Sequence, residues 1–245
     1  MNLREGAILN IDKPYGWSST DVVRKLKVAL RQAGYPRTIK IGHAGTLDPL
    51  ATGVLLICIG RATKQVNELQ AQPKEYLFKV TLGATTPSFD LEHPVDQNYP
   101  YEHITKEAIE SYLSTTLGEQ DQVPPLYSAK KIDGRRAYEY ARGDEKVELR
   151  SARITIYSAE LVDYQAPHAE LKVECSKGTY VRSIARDMGV ELASGGYLST
   201  LRRTKSGGYQ ASQGWSIEQA AEYIAQNPNP ENPKQEKKER AGETI

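Results

Sequence analysis

Residues 40–60 read KIGHAGTLDPLATGVLLICIG and join two opposite kinds of chain. As far as Gly53, three glycines (Gly42, Gly45, Gly53) and Pro49 describe a tightly shaped loop, not the interior of an element. From Val54 to Ile59 the chain is continuously apolar, as in a buried strand, and Gly60 closes the run. Within the loop, Asp48 precedes a proline, which biases it toward an extended backbone. Taken alone, that Asp-Pro pair reads first as a turn cap. No Gly-Lys-Ser/Thr closes the loop, so it is not a phosphate-cradling P-loop. The four histidines, His43, His93, His103 and His168, show no metal-ligand spacing.

Outward from this stretch, helices and strands interleave. Residues 7–11 predict a short strand. Ser19 is placed to cap a helix to about Ala33, with Val22, Val23, Leu26, Ala29, Leu30 and Ala33 as its stripe and Gly34 as its stop. A helix is expected over 62–70. Residues 76–82 alternate, with Tyr76, Phe78, Val80 and Leu82 on one face. Thr105 caps a helix to about Leu117, stapled by Ile104 and Ile109. Residues 153–164 and 169–176 predict a strand pair, followed by a helix over 180–192. Ser216 with Gln219 opens a last helix through a capping box. Segregated helices and strands with both local and long connections favour an α+β fold over a doubly wound parallel sheet. A polar, proline-bearing segment from Gln226 onward is expected to be a disordered tail, leaving 1–225 as one catalytic domain.

The composition of the 245 residues narrows the class. Hydrophobic residues at 39% suffice for a sizeable core. The longest apolar run falls far short of the ~20 residues of a membrane helix, and the N-terminus lacks a signal-peptide core. Two distant cysteines, Cys58 and Cys175, exclude a disulfide framework and suit a reducing cytoplasm. The net charge of +1 argues, on its face, against a nucleic-acid partner. It is an average, however: residues 1–64 carry ten basic against four acidic side chains, and residues 85–122 one against eight. The acidic segment is expected to face away from any RNA.

Four further segments carry chemistry. In CSKGTYVRSIARD (175–187), Arg182 sits in the first turn of a helix, where a cation opposes the helix dipole. A buried carboxylate partner explains it somewhat better than local preference does; a solvated surface arginine is the alternative. Tyr76, in Lys74-Glu75-Tyr76, begins an inward strand face and could be core or could stack on a base. PPLYSAKKIDGRRAYEYAR (124–142) interleaves Lys130, Lys131, Arg135, Arg136 and Arg142 with Tyr127, Tyr138 and Tyr140, a mixture suited to phosphates and bases together, or simply to a solvated loop. Leu201-Arg202-Arg203-Thr204 is too short to read alone.

Together, GHAGTLDPLATGVL, the Lys-x-Tyr strand start, PPLYSAKKIDGRRAYE, CSKGTYVRSIARDMG and LRRT stand in the order found in the TruB-type tRNA pseudouridine synthases, and the chain resembles that family from about Leu9 to Thr204. The resemblance implies a pseudouridine synthase fold: a central, mostly antiparallel mixed sheet flanked by helices, with an RNA-gripping insertion at 124–150. It implies isomerisation of uridine 55 in the T-loop of tRNA, with Asp48 as catalytic carboxylate and His43 holding the flipped-out stack. Tyr76 would stack on the uracil and handle protons, Tyr180 line the pocket, Arg182 pair with Asp48, and Leu201 pack on the pocket. Lys130, Lys131, Arg135, Arg136, Arg142, Arg202 and Arg203 would contact RNA. Two departures stand out. Too little chain follows LRRT for the further RNA-binding PUA domain of many bacterial members, so that domain is expected to be absent. ATTPSFDLE (84–92) also lacks the usual aspartate-rich form while retaining Asp90.

The chemistry agrees with this set. A stacked uridine must be flipped into a pocket at a cost of a few kcal/mol, partly offset by ~1–3 kcal/mol of stacking on Tyr76. Breaking N1–C1′ and joining C5–C1′ involves neither redox change nor hydrolysis, so no cofactor or metal is expected. Burial raises a carboxylate's pKa and an adjacent arginine counters this. Attack at C1′, addition at C6 and abstraction of the C2′ proton all call on the same Asp48. A non-catalytic RNA-binding module and a nucleoside glycosidase are the competing readings, the second distinguished by free uracil. The expected partner is the tRNA T-stem-loop. No membrane and no obligate protein partner is implied, and nothing demands more than a monomer.

Overall fold

The computed structural model describes residues 2–128, 131–132, 135–136, 140 and 149–231, with the backbone alone at 131–132 and 135–136. In chain order the elements are β1 (Ala7–Lys13), α1 (Ser19–Gln32), β2 (Ile41–His43), β3 (Ala51–Ile59), α2 (Val66–Ala71), β4 (Lys74–Leu82), β5 (Ala84–Thr85), β6 (Gln97–Asn98), α3 (Lys106–Thr115), β7 (Gly118–Gln122), β8 (Lys131–Ile132), β9 (Arg135–Arg136), β10 (Ala152–Gln165), β11 (His168–Cys175), α4 (Val181–Glu191), β12 (Gly196–Ser206), β13 (Tyr209–Gln210) and α5 (Ile217–Gln226). The fold is α+β, as expected. The chain groups into two compact units, Met1–Gln72 with Thr204–Ile245, and Pro73–Arg203.

In the first unit, β3 has antiparallel neighbours in β1 and β2, with Leu9 and His43 both in register with Ile57. All of β3 except Thr52 is buried, which explains its unbroken apolar run. Val54, Leu56 and Cys58 pack with Ala44, Ala62 and Ala211. Helix α1 buries Val22, Leu26, Ala29 and Leu30. Its cap is Ser18, not Ser19: Asp21 stands at the N3 position relative to Ser18, and the two residues form a reciprocal capping box. Gly34, at φ +81°, turns the chain so that Tyr35 N–H reaches Leu30 O at 2.9 Å, a Schellman stop. The helix expected over 62–70 is divided into a 3-10 turn, Gly60–Gln65, and α2.

The tail boundary also moves. Asn229 is 3% exposed and donates to Ala33 O (2.9 Å) and Gly34 O (3.1 Å), covering the carbonyl end of α1. Residues 227–231 therefore belong to the fold, because α1 leaves carbonyls there that need donors. Residues 232–245 lie outside the described ones.

In the second unit the strand order is β12-β4-β11-β10-β7. The pairings of β4 with β11, β11 with β10 and β10 with β7 are antiparallel. Phe78, Val80, Leu171, Val173, Ile154 and Ile156 are buried on this sheet. Thr105 caps α3 as the sequence predicts. Strand β12 was not expected as an element.

Candidate active-site residues and the family they define

Asp48 is half-buried, in the loop between β2 and β3 of the first unit. Two polar side chains shape this loop. Ser19 Oγ accepts from Leu47 N at 2.9 Å and donates to Leu47 O at 3.0 Å, fixing the residue before Asp48. Lys13, 0% exposed at the end of β1, donates to Pro14 O (3.0 Å), Trp17 O (2.6 Å) and Pro49 O (3.2 Å), fixing the residue after it. Ala51 N–H donates to the Asp48 carbonyl at 3.1 Å, and Gly45 occupies φ +103°, a conformation open chiefly to glycine. Sequence reading missed Lys13 and Ser19, since a lysine after a strand and a serine before a helix both pass for surface residues. His43, the last residue of β2, is half-buried.

The remaining described site residues lie in the second unit. Tyr76 is 8% exposed on β4, in register with Val173. The inward face begins two residues earlier than expected, with Lys74 at 5% exposure. Burial, joined by the charge of Arg203, pulls the Lys74 ammonium down to about 8. Tyr180 is the N-cap residue of α4, and Arg182, 4% exposed, lies in that helix's first turn.

A buried carboxylate does face Arg182, and within this unit it is Asp90. Arg182 Nε lies 3.6 Å from Asp90 Oδ2, and a second guanidinium nitrogen donates to Ser88 O at 3.2 Å. Asp90, 5% exposed, accepts from Ser88 Oγ at 2.6 Å and from Glu92 N at 3.0 Å. Phe89 between them sits at φ +59°, costly for a bulky residue. It is held by Leu198 N–H on its carbonyl (3.0 Å) and by the Arg186 guanidinium 5.4 Å above its ring. Asp90 is thus the residue whose part the sequence left unassigned. It also departs from the expectation for its acidic segment, because it turns inward. A buried ion pair whose members are each hydrogen-bonded to the loop backbone or Ser88, rather than to one another, holds an arginine in place and leaves a costly charge if either member is removed.

Leu201 and Arg202 are half-buried on β12. Arg203 corrects an expectation: at 2% exposure it is among the largest fully buried side chains, which does not suit the RNA contact assigned to it. In the insertion, Lys131–Ile132 and Arg135–Arg136 form a small antiparallel hairpin, with Lys131 opposite Arg136. Lys130 and Arg142 lie outside the described residues. Among the described residues, no group of His, Cys, Asp or Glu is arranged to hold a metal ion, and no helix is long and apolar enough to cross a membrane.

These features have counterparts in known proteins. The fold superposes on a chain from the crystal structure of a Cbf5-Nop10-Gar1 complex with a TM-score of 0.69 and 27% identity, over 91% of this chain and 55% of that one. This chain therefore spans about half of that neighbour's length. Over 226 residues it is 47% identical to a protein of Phocaeicola vulgatus named tRNA pseudouridine synthase B, covering 92% of this chain and 96% of the relative. A Flavobacterium johnsoniae protein of the same name is 52% identical over 206 residues, or 84% of this chain and 90% of its own. Its architecture is that of the pseudouridine synthases. Residues 31–181 match the TruB family pseudouridylate synthase (N terminal domain), and the chain belongs to that family.

Proposed function

We propose that this protein isomerises uridine 55 in the T-loop of tRNA to pseudouridine. The buried Arg182–Asp90 pair at the head of α4 carries the reading within the described geometry: it is an ion pair set into the GTYVRS segment where the family resemblance calls for a functional arginine. Membership of the TruB family and the names of its relatives supply the substrate. Asp48 is the proposed catalytic carboxylate, with Arg182 as its countercharge. Tyr76 stacks on the flipped uracil and handles protons, Tyr180 and Leu201 line the pocket, and His43 holds the displaced nucleotide stack. Lys130, Lys131, Arg135, Arg136, Arg142 and Arg202 grip phosphates.

The N1–C1′ bond breaks, the uracil turns in place, the C5–C1′ bond forms, and the C5 hydrogen leaves as a proton while N1 gains one. The reaction is redox-neutral and intramolecular, so the proposed catalyst uses no cofactor. Loss of the C5 hydrogen is also the test. Wild-type protein should release tritium from tRNA carrying [5-³H]uridine and yield no free uracil. Asp48→Asn should abolish release while tRNA affinity stays within about threefold, because the exchange removes a charge and keeps the shape. Tritium release near the wild-type rate in Asp48→Asn would overturn the assignment, and free uracil would mean hydrolysis instead.

A further inference from the structure

Tyr180 heads α4 with no side-chain cap of its own. Its backbone is gripped from elsewhere in the unit. Gln122 Oε1 accepts from Tyr180 N at 2.8 Å, and Gln122 Nε2 donates to Tyr180 O at 3.2 Å. A primary amide carries one acceptor and two donors, so it can pair with both polar groups of one residue as a neighbouring strand would. Gln122 is 5% exposed, so these bonds are shielded from water. The following residue is held by the same helix: Val123 O accepts from Ser183 Oγ at 2.8 Å and from the Arg186 guanidinium at 3.0 Å.

The place of this clamp matters. Gln122 ends β7 and stands in register with Ala152, the first residue of β10. The basic insertion 124–150 therefore leaves and re-enters the sheet at one rung. Just inside its root, the Tyr127 ring meets His93 at 4.4 Å between centroids. The β7–β10 ladder already fixes the sheet, so the amide clamp on Tyr180 adds nothing to strand pairing. Its effect falls on the helix start that carries Tyr180 and Arg182.

We propose that Gln122 is a positioning residue that ties the root of the insertion to the backbone of Tyr180, and through it sets the placement of Tyr180 and Arg182 for turnover. This rests on the pseudouridine synthase reading above. Engagement of RNA by the insertion and order at the head of α4 are then coupled through one side chain.

Two variants and two readouts test it. Gln122→Leu removes both hydrogen bonds at similar size. It should lower kcat for tRNA by ~10- to 100-fold, the scale of an ångström-level misplacement, while KM stays within about threefold. In the same variant the Tyr180 amide should exchange with solvent at least ~10-fold faster by NMR, with the Phe78 amide unchanged. Gln122→Glu keeps the acceptor but turns a carboxylate oxygen toward Tyr180 O. Its kcat should be low at pH 8 and recover toward wild type as pH falls to about 6, when the protonated acid donates as the amide does. The titratable and charged neighbours are Asp187 and Tyr112, which line a small internal void with Gln122, and Arg186. Burial raises both Asp187 and Tyr112, and both are present in wild type, whose profile is the baseline; a carboxylate at 122 couples to Asp187, so the recovery is that of the pair, which wild type lacks. An unchanged kcat in Gln122→Leu, a loss confined to KM, or a pH-independent defect in Gln122→Glu overturns the proposal. Absence of wild-type turnover would sink the functional reading instead, and unaltered Tyr180 exchange in Gln122→Leu would still sink this one. Should Gln122→Leu not fold, the Gln122→Glu profile and its Tyr180 exchange decide.

Discussion

At the scale of single residues, the site is built from charged side chains placed where charge is costly. Arg182 shows why its chemistry is not interchangeable. Its guanidinium meets Asp90 through Nε and Ser88 O through another nitrogen, a fork that a lysine ammonium cannot reproduce. Arg182→Lys should therefore lower single-turnover tritium release by ~100-fold, although the charge is retained; an unchanged rate would remove Arg182 from the chemistry. Lys74 offers a prediction in pH. Its pKa of about 8 in the folded chain lies below lysine's ordinary 10.5, so between these values the unfolded chain binds the extra proton and stability rises with pH. The penalty is fully present below pH 8 and fades above it. Compared with Lys74→Met, wild type should gain up to about 1.4 kcal/mol per pH unit above pH 8, read by urea unfolding at pH 7, 8, 9 and 10. A pH-independent difference would show that Lys74 keeps its proton.

At the scale of elements, short-range signals were legible and inward polar residues were not. Thr105 and Ser216 cap α3 and α5 where the sequence places them, since capping is a contact across three residues. The start of α1 shifts to Ser18 because Asp21 completes that box, which frees Ser19 to hold Leu47. Ser18→Ala should cost about 1 kcal/mol, seen as a lower urea midpoint at unchanged m-value, whereas Ser19→Ala unties the loop before Asp48. Strand β12 escaped notice for a plain reason: its buried positions include Gly196, Arg203 and Ser206 beside Leu198, so no apolar alternation marks it. The same pattern hid Lys13 and Lys74.

At the scale of the whole molecule, the near-zero net charge conceals opposed regions. Ten basic residues lie within the first 64, and the acidic side chains of 85–122 are all exposed except that of Asp90, which is spent on Arg182. Affinity for tRNA should fall on a log–log plot against salt, by about 0.7–0.9 per phosphate contact. Filter binding across 50–300 mM salt measures it, and a flat response would mean the charge map has been misread.

The sequence by itself determined the α+β class, most element positions, the caps of α3 and α5, and the family motifs that nominate Asp48, Tyr76 and Arg182. These follow from local periodicity, from contacts a few residues long, and from motif order, all of which survive in one dimension. Only the tertiary structure decided that Arg182 faces Asp90, that Arg203 is buried, that Lys13 and Ser19 frame the Asp48 loop, and that Gln122 grips Tyr180. Each of these joins residues far apart in the chain through a buried polar contact. Burial converts a polar side chain from a solvated bystander into a fixed part of the site, and no pattern of neighbouring residues announces it.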